Sequence, residues 1–403
     1  MPTGRLGDMT APDLSRAHGG PLGWSVRLSL FYACFFLTAG VAMPWFPVYL
    51  DARGLTADQI GLLLAVGFWI KPLANPLGTR WADLSGERRR PVVVLLACVG
   101  GAFALYGLAD SFAAFLAIAL LAQACNSPVL PLADNVTMTA AAERGIDYGR
   151  VRLWGSVTFI GAVYAAGWLL EGRSADIILW LIVGGFLLTA MVSTGLPDIR
   201  FPKPESRRRN PFALLAIPTF AVFLLATGFN AAAHAVLYGF GSLHWKSVGL
   251  SEAEIGILWA VGVVAEIVLF ALSRRIIAAI GPLNLLLIGC ASGVVRWTLT
   301  AWTDDFAPLV ALQVLHALTF GAAHLGTMHF IQRAAPEGMS ATAQGLFAAF
   351  GMGLFMGFGA IAAGQLYGAF AGEAYLAMAG LSAASTLAAL VLIRRWDGQR
   401  LSL

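Results

Sequence analysis

Two stretches decide how this chain is built: Gly54 to Gly67, GLTADQIGLLLAVG, and Gly249 to Gly262, GLSEAEIGILWAVG. Eight of their fourteen positions are identical at a constant offset of 195 residues, and all three glycines of each copy keep register. Both copies lead from a polar segment into an apolar run, and each run is an even-numbered member of its half of the chain. The two halves are therefore expected to be parallel repeats, each built from the same number of membrane-crossing helices.

Composition agrees. Of 403 residues, 58% are hydrophobic and 12% charged, against roughly 25% charged in a soluble domain. Windows of about 20 apolar residues give twelve spans, at 25–50, 57–80, 91–109, 112–138, 150–170, 176–195, 213–240, 252–273, 282–302, 306–333, 342–370 and 373–395. Pro44 and Pro47 are expected to bend the end of the first. The fold class is an all-α membrane protein of two six-helix halves. A cytoplasmic N-terminal tail takes residues 1–23 and lacks a signal-peptide core; the halves take 24–195 and 213–395; a Pro- and Arg-rich linker takes 196–212 and a C-terminal tail 396–403. Twenty basic residues fall on the side of both termini and only Arg53, Arg173 and Lys246 on the other, which places the termini in the cytoplasm. The net charge of +4 is read as loop topology; no basic helix indicates nucleic acid. Cys34, Cys98, Cys125 and Cys290 lie in separate apolar runs without metal or disulfide spacing. The expected setting is a bacterial inner membrane, with a monomer surrounded by lipid.

Charges inside apolar runs mark candidate sites, because an unpaired ion in hydrocarbon is costly. The stretch Asp134 to Ser156, DNVTMTAAAERGIDYGRVRLWGS, holds one acid and one base on two neighbouring helices. Asp134 and Arg152 are expected to pair, either to bind substrate or only to orient the helices. Lys71 and Glu266 occupy equivalent repeat positions, and Arg296 is the third deep cation. Asn230, His234 and Tyr238 form an i, i+4, i+8 stripe suited to line a cavity. His316 and His324, eight residues apart and about 80° around a helix, poorly match a metal pair. Tyr32, Phe35, Phe36, Trp154, Trp297 and Phe350 are candidates for an aromatic wall.

The loop after the second span, GTRWADLSGERRR from Gly78 to Arg90, resembles the cytoplasmic gate signature of the major facilitator superfamily, with Gly78, Asp83, Gly86, Arg88 and Arg89 in its places. Four further stretches, PWFPVYLDARGL from Pro44, DYGRVRLWGS from Asp147, WAVGVVAEIVLF from Trp259 and LHALTFGAAH from Leu315, resemble the phenylpropionate-permease-like branch of that superfamily. The branch is similar in turn to the lactose permease. That resemblance implies substrate-holding roles for Asp134 and Arg152, and proton-coupling roles for Glu266, Arg296 and His316. The permease's proton-carrying glutamate is Thr319 here, and a lysine one turn before the histidine is Gln313. A sugar substrate is thus not inherited.

The expected function is secondary active transport by alternating access, driven by the proton gradient without another cofactor. Proton symport of a sugar or nucleoside and export of a small molecule remain alternatives. A membrane enzyme or scaffold lacks its motifs, with no HExxH, GxSxG or Walker loop. Three deep cations against two deep acids leave room for one anionic substrate group, for which Lys71 is the expected anchor. A small aromatic or aryl-alkyl monocarboxylate fits that balance.

Overall fold

The computed structural model describes residues 21–197, 199, 211–337 and 339–402. Most of the tail at 1–23 and of the linker at 196–212 lies outside the described residues. Among the described residues ten helices are long and apolar enough to cross a membrane, or eleven with the bent pair Ala57–Trp69 and Lys71–Ser85 taken as one span. One of the ten, Ser340–Arg395, has 56 residues, about 84 Å of helix for a hydrocarbon core of about 30 Å. Its chain turns at Ala371, where φ is +48°. Two antiparallel spans meet there, which makes twelve.

The spans are α1 (Pro21–Ala52), α2 (Ala57–Trp69 and Lys71–Ser85), α3 (Arg89–Leu108), α4 (Phe112–Arg144), α5 (Tyr148–Leu170), α6 (Asp176–Ser193), α7 (Pro218–Ser247), α8 (Glu252–Ala271), α9 (Pro282–Thr300), α10 (Phe306–Ala334), α11 (340–370) and α12 (Ala374–Arg395). Helix α1 stays helical through Pro44 and Pro47. Helix α2 bends by 41° at Ile70, where Pro72 supplies no N–H to the ladder. The repeat explains how α2 and α8 start. Thr56 and Ser251 cap them, each accepting from the backbone N–H three residues on, while Gln59 and Glu254 bond back to the cap residue.

The halves meet at the face opposite the termini, principally along two seams. In one, α2 packs on α11; in the other, α5 packs on α8. Each seam closes on glycine. A Cβ at Gly61 would stand 2.6 Å from the Ala360 carbonyl, and one at Gly167 2.3 Å from the Glu252 carbonyl. Gly256, the repeat partner of Gly61, packs against Val163 and Tyr164 of α5. The segments nearer the terminal face (Lys71–Ser85, Val129–Arg144, Ser273–Ile280 and Ser340–Ala349) make their principal contacts within their own half. The halves are thus clamped at one face and released at the other.

At the terminal face the loop after α2 turns on Gly86, in the left-handed region at φ +68°. Arg88 then reaches back to Asp83 at 2.5 Å and donates through Nε to Asn135 of α4 at 3.3 Å. A Cβ at Gly78 would lie 2.4 Å from the Pro128 ring, so α2 and α4 touch there. This loop latches within the N-terminal half, beside the residue that follows Asp134.

Candidate functional site

Between the halves lies a cavity of about 400 Å³. Helix α1 contributes Phe36, α5 Arg152 and Ser156, α7 Tyr238, α8 Trp259 and Glu266, and α10 Gln313, His316, Phe320 and His324. It is the one place where the candidate residues of both halves face each other.

On the N-terminal side the Arg152 guanidinium lies over Phe36, its Cζ 3.9 Å from the ring centroid and 5.3 Å from that of Tyr32. A Cβ at Gly155 would meet both Phe36 (2.7 Å) and Arg152 Nη1 (2.9 Å); the glycine makes room for this pose. The expected ion pair with Asp134 does not form. Asp134 instead accepts from the Tyr32 hydroxyl at 2.5 Å and from Tyr148 at 3.3 Å. The Thr137 hydroxyl oxygen lies 3.1 Å from the same Tyr32 oxygen. The physical reason is Tyr32 itself: its ring faces Arg152 while its hydroxyl takes the carboxylate, so a phenol separates the charges. Asp134 is not among the cavity-lining residues, and Arg152 has no carboxylate within ion-pair distance among the described residues. Arg152 and Glu266 line the same cavity from opposite halves.

On the C-terminal side the fully buried Arg296 holds a network together. It donates to Gln313 Oε1 (2.8 Å) and Thr319 Oγ1 (2.8 Å), and Nη1 lies 3.2 Å from His316 Nδ1. Its guanidinium also covers the Trp297 ring at 4.4 Å. Arginine only donates. His316 Nδ1 must therefore accept, which puts the single proton of the neutral ring on Nε2, 3.7 Å from Glu266 Oε2. The same logic fixes His234. Its Nδ1 donates to the Asn230 carbonyl (2.9 Å), so Nε2 accepts from Thr319 (3.2 Å). Thr319 thus relays between Arg296 and His234, and the Asn230 amide donates to the Thr319 carbonyl at 3.0 Å. Arg296 reaches the Glu266 carboxylate only through His316.

A π-helical turn, Ala317–Ala322, follows His316. Its wider winding brings His316, Phe320 and His324 onto one face, with successive rings parallel within 4° and centroids 5.3 and 5.9 Å apart. The angular separation expected for the two histidines is corrected by that turn, a feature often found at functional sites. No cluster of three metal-ligating side chains occurs among the described residues.

The remaining candidates separate. Of the α7 stripe, Tyr238 lines the central cavity, whereas Asn230 and His234 are buried beside a smaller one of about 40 Å³ within the C-terminal half. Lys71 is not at the central cavity: past the bend in α2 it lines a separate void among Phe46, Tyr106 and Gln123. Of the aromatic candidates, Phe36 lines the cavity, Trp297 lies beneath Arg296, and Trp154 is 54% exposed on the outer surface. Trp259 and Phe320 line the cavity without having been assigned to the wall; seven and four residues from Glu266 and His316, their helical register was the available signal.

The MFS_1 like family matches residues 25–377. Over 347 residues the chain is 32% identical to the probable 3-phenylpropionic acid transporter of Escherichia coli (strain K12), spanning 84% of this chain and 90% of that protein. It is 28% identical over 337 residues to the maltose permease of Geobacillus stearothermophilus, with 80% and 83% covered. Among solved structures, the nucleoside transporter NupG superposes with a TM-score of 0.77 at 18% identity, covering 93% of this chain and 100% of that one. A bacterial homolog to the human lysosomal transporter Spinster superposes with a TM-score of 0.71 at 15% identity, covering 94% and 98%. With twelve spans in two halves, a cavity between them and a family match over most of its length, the chain belongs to the MFS_1 like family and is a major facilitator transporter rather than an enzyme.

Proposed function

We propose that this transporter carries a small aromatic or aryl-alkyl monocarboxylate together with a proton, by alternating access, as a monomer in a bacterial cytoplasmic membrane with both termini inside. The observation that carries the reading is Arg152: a guanidinium in the central cavity, over the Phe36 ring, with no carboxylate within ion-pair distance among the described residues. A substrate carboxylate completes it by a charge-assisted bond, and Phe36, Tyr238, Trp259 and Phe320 supply surfaces for a ring. Arg152 thus replaces Lys71 as the anchor. Glu266 is the proton carrier, and His316 holds it in the orbit of Arg296. A carboxylate that exchanges a cationic neighbour for an apolar one changes its proton affinity, and substrate binding at Arg152 changes the charge that faces Glu266. The relative described as a probable 3-phenylpropionic acid transporter supports this substrate class.

A second reading, symport of a neutral sugar or nucleoside, draws on the maltose permease relative. Competition separates the two. On purified protein, 3-phenylpropionate is expected to displace a bound reporter while its methyl ester fails, and Arg152→Gln is expected to lose the distinction. Equal potency of acid and ester on the wild type overturns the carboxylate reading.

A further inference from the structure

Lys71 ends in a void of about 130 Å³ inside the N-terminal half, and this void shares no lining residue with the central cavity. The bend at Ile70 starts a new helical segment at Lys71. Side chains on a helix lean toward its N-terminus, and Nζ rises over the Phe68 ring, 4.7 Å from the centroid. Two further polar residues, Tyr106 and Gln123, share its lining. Among the described residues none of the three has a side-chain hydrogen bond or ion pair. No carboxylate lines the void. A Cβ at Gly67 would stand 3.3 Å from the Gln123 side chain, so the glycine leaves the amide its place.

The one charged group of this void, the Lys71 ammonium, only donates and so calls for an acceptor. The ammonium and the phenol offer donors, the amide offers two more, and an ammonium left alone in the membrane interior is costly. The repeat sharpens the contrast. Lys71 and Glu266 are equivalent positions, as are Gly67 and Gly262, at the offset of 195. Glu266 beside His316 serves a proton; its counterpart carries the opposite charge in a void of its own. We infer that the Lys71–Tyr106–Gln123 void is a binding site for a small monovalent anion, a halide or the carboxylate of a one-carbon acid, distinct from the substrate site. The void is slightly smaller than the roughly 150 Å³ cavity that accepts benzene, and an aryl-alkyl acid is too large for it. The bound anion neutralises Lys71 and ties α2, α3 and α4 together next to the bend.

Thermal unfolding of the purified transporter in potassium chloride, formate or gluconate at equal ionic strength tests this. Gluconate is too large and serves as the reference. A saturable rise in Tm is expected in chloride or formate, and whichever acts identifies the source. Lys71→Met is expected to abolish the rise. Tyr106→Phe and Gln123→Leu are each expected to raise the anion concentration at half-effect about tenfold, and they carry the test if Lys71→Met does not fold. Substrate affinity in Tyr106→Phe and Gln123→Leu is expected to stay within twofold of wild type, which separates this site from the central one. Equal Tm in all three salts, a rise that survives all three substitutions, or loss of substrate binding in Tyr106→Phe and Gln123→Leu overturns the inference.

Discussion

The glycine seams make a quantitative claim about conformational balance. In Gly61→Ala the new Cβ would lie 2.6 Å from the Ala360 carbonyl oxygen, 0.8 Å inside the 3.4 Å where ordinary contact begins; in Gly167→Ala it would lie 2.3 Å from the Glu252 carbonyl, 1.1 Å inside. Both obstacles are backbone, so no rotamer change relieves them. Overpacking of this kind costs about 1–3 kcal/mol, and only while the seam is closed. Alanine also favours a helix over glycine, so neither span is weakened by itself. Each substitution therefore shifts the balance toward the state in which the halves part at the seam face by about 5- to 150-fold, and the double substitution by at least that factor. The readout is alkylation of Ser156→Cys, a cavity residue, in a background lacking the four native cysteines. A membrane-impermeant maleimide applied to intact cells is expected to react faster by that factor in the seam variant. An unchanged rate in a folded double variant refutes the assignment of these glycines as the closing contact.

Three other outcomes follow from the site. Glu266→Gln is expected to lose accumulation driven by a pH gradient while keeping substrate exchange; normal gradient-driven accumulation removes Glu266 as the carrier. Thr319→Val takes an acceptor from buried Arg296 and a donor from His234, an expected destabilisation of about 1–3 kcal/mol in thermal or denaturant unfolding, and an unchanged midpoint contradicts the relay. Asp134→Asn is expected to fold normally, because an amide oxygen still accepts from Tyr32 and Tyr148; collapse of that variant would restore a charge-pair role.

Much of the fold was legible because the membrane demands long apolar helices and the repeat keeps its glycines where backbones must touch. Gly61 and Gly256 show that link directly: one register in sequence, two equivalent seams in space. The site was legible as a set of residues but not as a set of contacts. Asp134 and Arg152 are close in sequence, yet the deciding side chain, Tyr32, stands 102 residues before Asp134. The alignment of His316 with His324 depends on a π turn, and periodicity at 3.6 residues per turn has no means of announcing one. Lys71 fell elsewhere because it shares a helix face with Leu64, Gly67 and Phe68, and that face meets Tyr106 and Gln123 of its own half, partners that helical register alone does not name.

The central claim is tested most directly by measuring proton and substrate movement together. Proteoliposomes in weak buffer, with no pH gradient at the start, receive labelled 3-phenylpropionate while external pH and internal label are followed. Above the rate in protein-free liposomes, label is expected to enter with a matching rise in external pH. Both signals are expected to vanish in Arg152→Gln, and the coupled pH rise in Glu266→Gln. Substrate entry through the wild-type protein without any pH change would contradict the account.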